Sequence, residues 1–158
     1  PILYLIAQGI DAVSAPLSGS AYDKYGIKFL AMPFALSVLP TIFVALLFIS
    51  IVSVPFGSIA FLLLAVVSFG VILGMQESIY RAAIADLTGI SKRGLGYGLF
   101  NTAYGFGFLI SGVVLGYMLD LAFIEPSYMM YAIMYSVALQ IFALIILFAA
   151  VKERKFSS

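Results

Sequence analysis

The chain contains no cysteine and no histidine. The first absence excludes disulfides and thiolate chemistry. The second removes the commonest metal ligand and the usual general base at neutral pH. Charge is scarce too: 9% of the 158 residues are Asp, Glu, Lys or Arg, against about 25% in an ordinary soluble domain. The formal net charge is +1. The basic residues sit at turns between apolar runs, not along one face, so nucleic acid is not an expected partner. There is no carboxylate cluster set for two-metal work. An enzyme is therefore not expected, and neither is a cofactor.

Apolar residues are what the chain has in excess. They make up 64% of it, and the mean hydropathy is +1.18. Charges interrupt long apolar runs and are absent from residues 29–76, 94–119 and 126–151. The first of these runs is too long for one bilayer crossing, which needs roughly 20 residues. It breaks at Ser53-Val54-Pro55-Phe56-Gly57-Ser58, where proline and glycine favour a turn. The division predicts five membrane helices, at about 1–22, 29–52, 58–80, 95–119 and 127–151, followed by a short basic tail at 152–158. Helices are expected because backbone groups in lipid must be paired internally, and the runs are too long and too uniformly apolar for barrel strands.

The basic residues fall in three places. Lys24 and Lys28 follow the first span; Arg81, Lys92 and Arg93 lie between the third and fourth; Lys152, Arg154 and Lys155 follow the fifth. Five alternating helices put all eight on one side. The positive-inside rule makes that side cytoplasmic, with the C-terminus inside. No secretory signal peptide is expected, since the first residues carry no basic region and the first run ends in Asp23–Lys28, not in a small-residue cleavage site. The chain starts at Pro1 and is apolar at once, and is read as a piece of a longer protein.

Polar residues inside the spans are the candidates for function. Tyr4, Gln8, Asp11, Ser14 and Ser18 recur at spacings of three and four and form one helical stripe. Asp11 sits near mid-span, where a carboxylate costs roughly 2.5–3.5 kcal/mol on an insertion scale. It is expected to face protein or water, either as a substrate, cation or proton site or as a partner for a neighbouring helix. Span two has Pro33 and Pro40, no charge, and the pattern of a bent peripheral helix. In span three, Glu77 and Arg81 are four apart with the acid first, the favourable order for a helical pair. They fix a helix end at the interface or contact a ligand directly. Gln76 is a pore-lining candidate or a bridge between helices. In span four, Gly98, Asn101, Gly105, Gly112 and Gly116 fall near one face. Close helix packing is expected of the glycines, and Asn101 is either helix glue or a ligand contact. The triplet Gly94-x-Gly96-x-Gly98 is not a nucleotide loop: it follows no strand and lacks the required spacing. Gln140 lies in span five, and Tyr128, Tyr131 and Tyr135 near the outer end of that span form an interfacial belt.

The turn after the first span reads Gly19-Ser-Ala-Tyr-Asp23-Lys24-Tyr-Gly26-Ile27-Lys28. Gly19 suits close packing at a helix end, and Gly26 suits a backbone turn that other residues resist. The run resembles the G-x-x-x-D-[RK]-x-G-[RK]-[RK] loop of the major facilitator superfamily. Gly19, Asp23, Lys24, Gly26 and Lys28 match, and Ile27 departs. The later run "ESIYRAAIADLTGISKRGLGYGLFN" is similar to the turn joining the tenth and eleventh helices of such transporters. Together the likeness covers essentially the whole chain.

The resemblance implies an all-α polytopic membrane bundle, with spans one to five matching helices 8–12 of a twelve-helix fold. It implies secondary active transport of a small solute across the cytoplasmic membrane by alternating access, the missing N-terminal half supplying the rest of the cavity. Asp23 would contact the cytoplasmic start of span four and neighbouring basic residues. With Lys24, Glu77 and Arg81 it would form an inner gate. Asp11 is the expected coupling or substrate residue, with a proton as the candidate coupling ion and Gln8, Gln76 and Asn101 as pathway partners. The second reading is a non-transporting sensor or assembly subunit with the same fold. The partners expected are the lipid bilayer, a small-molecule substrate and the missing half.

Overall fold

The computed structural model describes the backbone of residues 1–53 and 57–154, and side chains of residues 1–50 and 58–149. The described elements are helical throughout: α1 (Ile2–Tyr25), α2 (Ala31–Leu36), α3 (Val38–Ser53), α4 (Gly57–Leu87), α5 (Arg93–Ile124) and α6 (Ser127–Arg154). Short 3-10 turns at Gly26–Leu30 and Ile90–Lys92 join α1 to α2 and lead into α5. The expected turn at 53–58 centres on residues 54–56, and the tail ends in residues 155–158; both segments lie outside the described residues.

By length and hydropathy four helical stretches suffice to cross a bilayer, the first being Ile2–Ser50 with 49 residues. A straight helix of that length would reach roughly 70 Å at about 1.5 Å per residue, more than twice a hydrocarbon core of about 30 Å. It is not straight. Gly26 has φ 65° and ψ −155°, a left-handed backbone that a side chain resists. The chain turns there, which splits the stretch into α1 and the α2–α3 rod, so five rods result. The α2–α3 rod is itself interrupted at Ser37, three residues before Pro40. Pro40 has no N–H to give the carbonyl of Leu36, so the helical ladder loses a bond at that point. The α4 helix runs to Leu87 and α5 to Ile124, past the ends near 80 and 119 that apolar content suggests. The α4 extension carries Arg81 and Asp86, and the α5 extension carries Asp120.

The tightest packing joins α1 to α4. A methyl group on Gly70 would lie 2.5 Å from the carbonyl oxygen of Ala7, and one on Gly74 would lie 2.6 Å from that of Asp11. Only glycine permits backbones this close. Ser14 Oγ sits 3.4 Å from the Gly70 carbonyl oxygen and 3.2 Å from that of Val71. The contacts proceed in register: Ala7 with Gly70, Ser14 with Gly74, Gly19 with Ser78, Tyr22 with Asp86. Therefore α1 and α4 run parallel, and Lys24, Lys28, Lys92 and Arg93 emerge at one end of the bundle, called here the basic end. A buried cluster of Tyr22, Leu30, Met75, Ile79 and Ala83 closes that end, with Leu36 packed against it. The α3 helix fills the other side of α4, and α6 returns along α5, α2 and α3.

Outside this seam the surface is apolar. Leu17 is 65% exposed and Phe123 90%, and no residue of α5 is buried. Such continuous apolar exposure needs lipid or further helices to cover it. Hydroxyls at membrane depth are satisfied locally: Ser18, Ser68, Thr102 and Ser136 each donate to the carbonyl four residues earlier, a usual device in lipid. The architecture is an all-α membrane helix bundle.

Candidate functional site

The α4 and α5 helices diverge from their junction and leave a cleft of about 80 Å³. Gln76, Glu77, Tyr80 and Arg81 occupy successive turns of α4 and line one wall. Phe100, Asn101 and Tyr104 line the other, from α5. The structure thus brings together four residues that the sequence marks separately: Gln76 and Asn101 as amides, Glu77 and Arg81 as a charged pair. Aromatic rings frame them. Tyr80 meets Phe100 edge-on at 6.1 Å between centroids, and Phe100 stacks on Tyr104 at 5.8 Å. Tyr80 Oη is buried beside the Gln76 amide. Glu77 Oε2 and Arg81 Nη2 are 3.9 Å apart, both well exposed. At that separation the two leave most of their hydrogen-bonding capacity free. Chemically the cleft offers two amides, two phenols, one acid and one guanidinium between aromatic walls.

The polar stripe of α1 divides in two. Ser14 and Ser18 are buried and serve the α1–α4 seam. Gln8 Nε2 donates to Tyr4 Oη at 2.8 Å, while Gln8 Oε1 is buried without a partner among the described residues. Asp11 is half-buried. Its backbone carbonyl accepts from Ser14 Oγ at 3.2 Å, but its carboxylate has no hydrogen-bond or ion-pair partner among the described residues. Neither Gln8 nor Asp11 lines the α4–α5 cleft.

At the basic end, Gly19 lies where an added methyl would come 2.8 Å from Ser78 Oγ, so this position of the loop run seats α1 on α4. Gly26 makes the turn. Asp23, Lys24 and Lys28 are exposed. Lys24 Nζ lies 5.3 Å from the centroid of the Tyr25 ring. Asp23 has no ion-pair partner here; among the described residues Glu77–Arg81 is the one such pair. Two contacts that do cross between helices at this end were not marked by the sequence: Tyr97 Oη donates to the Arg81 carbonyl oxygen at 3.2 Å, and Tyr22 Oη donates to Asp86 Oδ2 at 3.1 Å. An acid in the last turn of a helix opposes the helix dipole, and that misplaced charge at Asp86 is the one signal that sequence reading offers for the second.

The expected packing role of the α5 glycines is corrected within this chain. No described atom outside α5 comes within 4 Å of a methyl placed on Gly98, Gly105, Gly112 or Gly116. The α5 helix leans on its neighbours through other residues, and its glycine face is open.

The chain belongs to the major facilitator superfamily, whose sequence profile matches residues 2–158. It is 28% identical over 149 residues to an uncharacterized protein of Mycobacterium bovis. Uncharacterized proteins of two Mycobacterium tuberculosis strains show the same identity. The match covers 94% of this chain and 32% of each relative. The chain spans about a third of the length of the curated relatives it matches. No solved structure matches it. Family and apolar helices together make this an integral membrane protein of a transporter superfamily.

Proposed function

We propose that the chain is the C-terminal portion of a secondary active transporter that moves a small solute across the cytoplasmic membrane by alternating access, with the C-terminus inside. The observation that supports the reading most is the α4–α5 cleft, which unites Gln76 and Asn101 between aromatic walls. Amides there orient a polar solute, and rings give it a low-dielectric surface to stack on. Asp11 is the coupling residue, because a carboxylate inside a span with no partner among the described residues is placed for function. Asp23, Lys24, Glu77 and Arg81 form the inner gate, closing in the outward-facing state when the missing half is present.

The test is uptake by the full-length protein in liposomes, with Gln76→Ala and Asn101→Ala beside wild type. Each variant is expected to lose at least tenfold in solute uptake at unchanged protein level. Wild-type uptake in both would remove the cleft from the pathway.

A further inference from the structure

The α4–α5 cleft carries one charge of each sign, and neither is saturated. Glu77 and Arg81 form the one ion pair among the described residues, with side chains 49% and 64% exposed. A carboxylate and a guanidinium built to hold each other meet as a fork, through two parallel hydrogen bonds of about 2.7–2.9 Å. Here the nearest approach is 3.9 Å. The bond that does reach Arg81 from α5 falls on its backbone: Tyr97 Oη donates to the carbonyl oxygen at 3.2 Å and leaves the guanidinium free. Three rings line the same cleft. Phe100 meets Tyr80 edge-on and stacks on Tyr104. The cleft opens away from the bundle core, since Asn101 and Tyr104 on its α5 wall are exposed.

Charge complementarity then selects among solutes. A lone cation would pair with Glu77 and leave Arg81 without its partner. A lone anion would pair with Arg81 and leave Glu77 unpaired. Removing one side of a charge pair in a water-poor site is costly. An uncharged solute leaves the two facing each other. A solute that bears both charges a short distance apart satisfies both at once. Ammonium and carboxylate on one carbon suit groups that stand 3.9 Å apart, and a cleft of about 80 Å³ suits so compact a head. The rings suit an apolar group attached to it.

We propose that the solute is a small zwitterion of the amino-acid type with an apolar side group. Its ammonium goes to Glu77, its carboxylate to Arg81, and its apolar group lies against Phe100 and Tyr104. The proposal rests on reading the α4–α5 cleft as the solute site. The solute reaches the pair from the open side of α5, between this part of the protein and the missing half, not through the interior of this bundle. The inner gate thereby gains a trigger. In the empty protein Glu77 and Arg81 face each other; a bound zwitterion takes the place of that contact, so occupancy and gate state are linked through the same two side chains.

The test is binding to the full-length protein in detergent. The probes are radiolabelled phenylalanine and leucine, in competition with relatives that lack one charge: phenethylamine and isoamylamine without the carboxylate, hydrocinnamate and isocaproate without the ammonium. At least one of the two amino acids is expected to bind at least tenfold more tightly than either of its single-charge relatives. Arg81→Gln is expected to lose the preference over the amine and keep the preference over the acid; Glu77→Gln should do the reverse. A merely structural pair would not exchange selectivity in this way. Arg81→Lys and Glu77→Asp keep the charges and are expected to keep both preferences, which holds the test open if a neutralised variant does not fold. Equal affinity for all three members of each set, tighter binding of the amine or the acid, or no binding of either amino acid overturns the proposal. If uptake of an uncharged or singly charged solute is then lost in Gln76→Ala and Asn101→Ala, the cleft reading stands without the zwitterion. Amino-acid binding that no substitution at 76, 77, 81 or 101 alters places the site elsewhere and overturns the proposal and the cleft reading together.

Discussion

Tyr22 on α1 donates a hydrogen bond of 3.1 Å to Asp86 on the last turn of α4. The phenol ring is buried in the cluster at the basic end, so the bond fixes how far α1 slides along α4. Hydrogen bonds to charged groups are worth about 1.5–3 kcal/mol. Tyr22→Phe keeps the ring and loses the donor. It is expected to destabilise the purified protein by about 1–2 kcal/mol, read as a lower unfolding midpoint in detergent. Asp86→Asn, which keeps an acceptor, should lose less. An unchanged midpoint in Tyr22→Phe would show that the bond contributes nothing.

The α1–α4 seam leaves no room for a methyl at Gly70 or Gly74. Gly70→Ala and Gly74→Ala are each expected to cost about 1–3 kcal/mol through overpacking. Ser68→Ala is the control, because Ser68 donates to the Leu64 carbonyl within its own helix and its loss should stay within about 0.5 kcal/mol. Thermal unfolding of the three variants side by side checks the ranking.

Much of this arrangement was legible in the sequence, and the misses share one cause. Charge spacing, Pro55 and Gly57 marked five rods, and Gly26 marked the turn that its left-handed backbone makes. These signals are local. Ser14 and Ser18 share a polar stripe with Asp11, and periodicity assigns that face without saying what it meets; the serines meet α4. Gln140 drew no role from the sequence because its partners Ser37 and Thr41 are about a hundred residues away. Tyr22–Asp86 is likewise a pairing that only the register of α1 on α4 creates. The α5 glycines signal close packing, yet no partner for them lies in this chain.

Glu77 and Arg81 form an exposed pair at 3.9 Å. Pairs of this kind are typically worth about 0.2–1 kcal/mol. Arg81→Gln is therefore expected to leave the unfolding midpoint nearly unchanged while cutting uptake severalfold on the proposed reading. A large stability loss with normal uptake would reverse the assignment and make the pair structural.

Asp23 is exposed and unpaired with any described cation, so its removal should not weaken this part of the fold. As a gate residue it acts in the assembled protein. Asp23→Asn is expected to raise labelling of an inner-side reporter thiol severalfold and to lower uptake, with Asp23→Glu retaining part of both. Unchanged labelling and uptake in Asp23→Asn would end the gate proposal.

The most direct test of the account is internal pH in liposomes carrying the full-length protein, recorded while a panel of small hydrophilic solutes is added to wild type and to Asp11→Asn. Asp11 is the half-buried carboxylate at membrane depth with no partner among the described residues. The account predicts solute-dependent proton movement in wild type and its loss in Asp11→Asn. Solute flux that is equal in both proteins and moves no protons would contradict it, and would return Asp11 to helix packing.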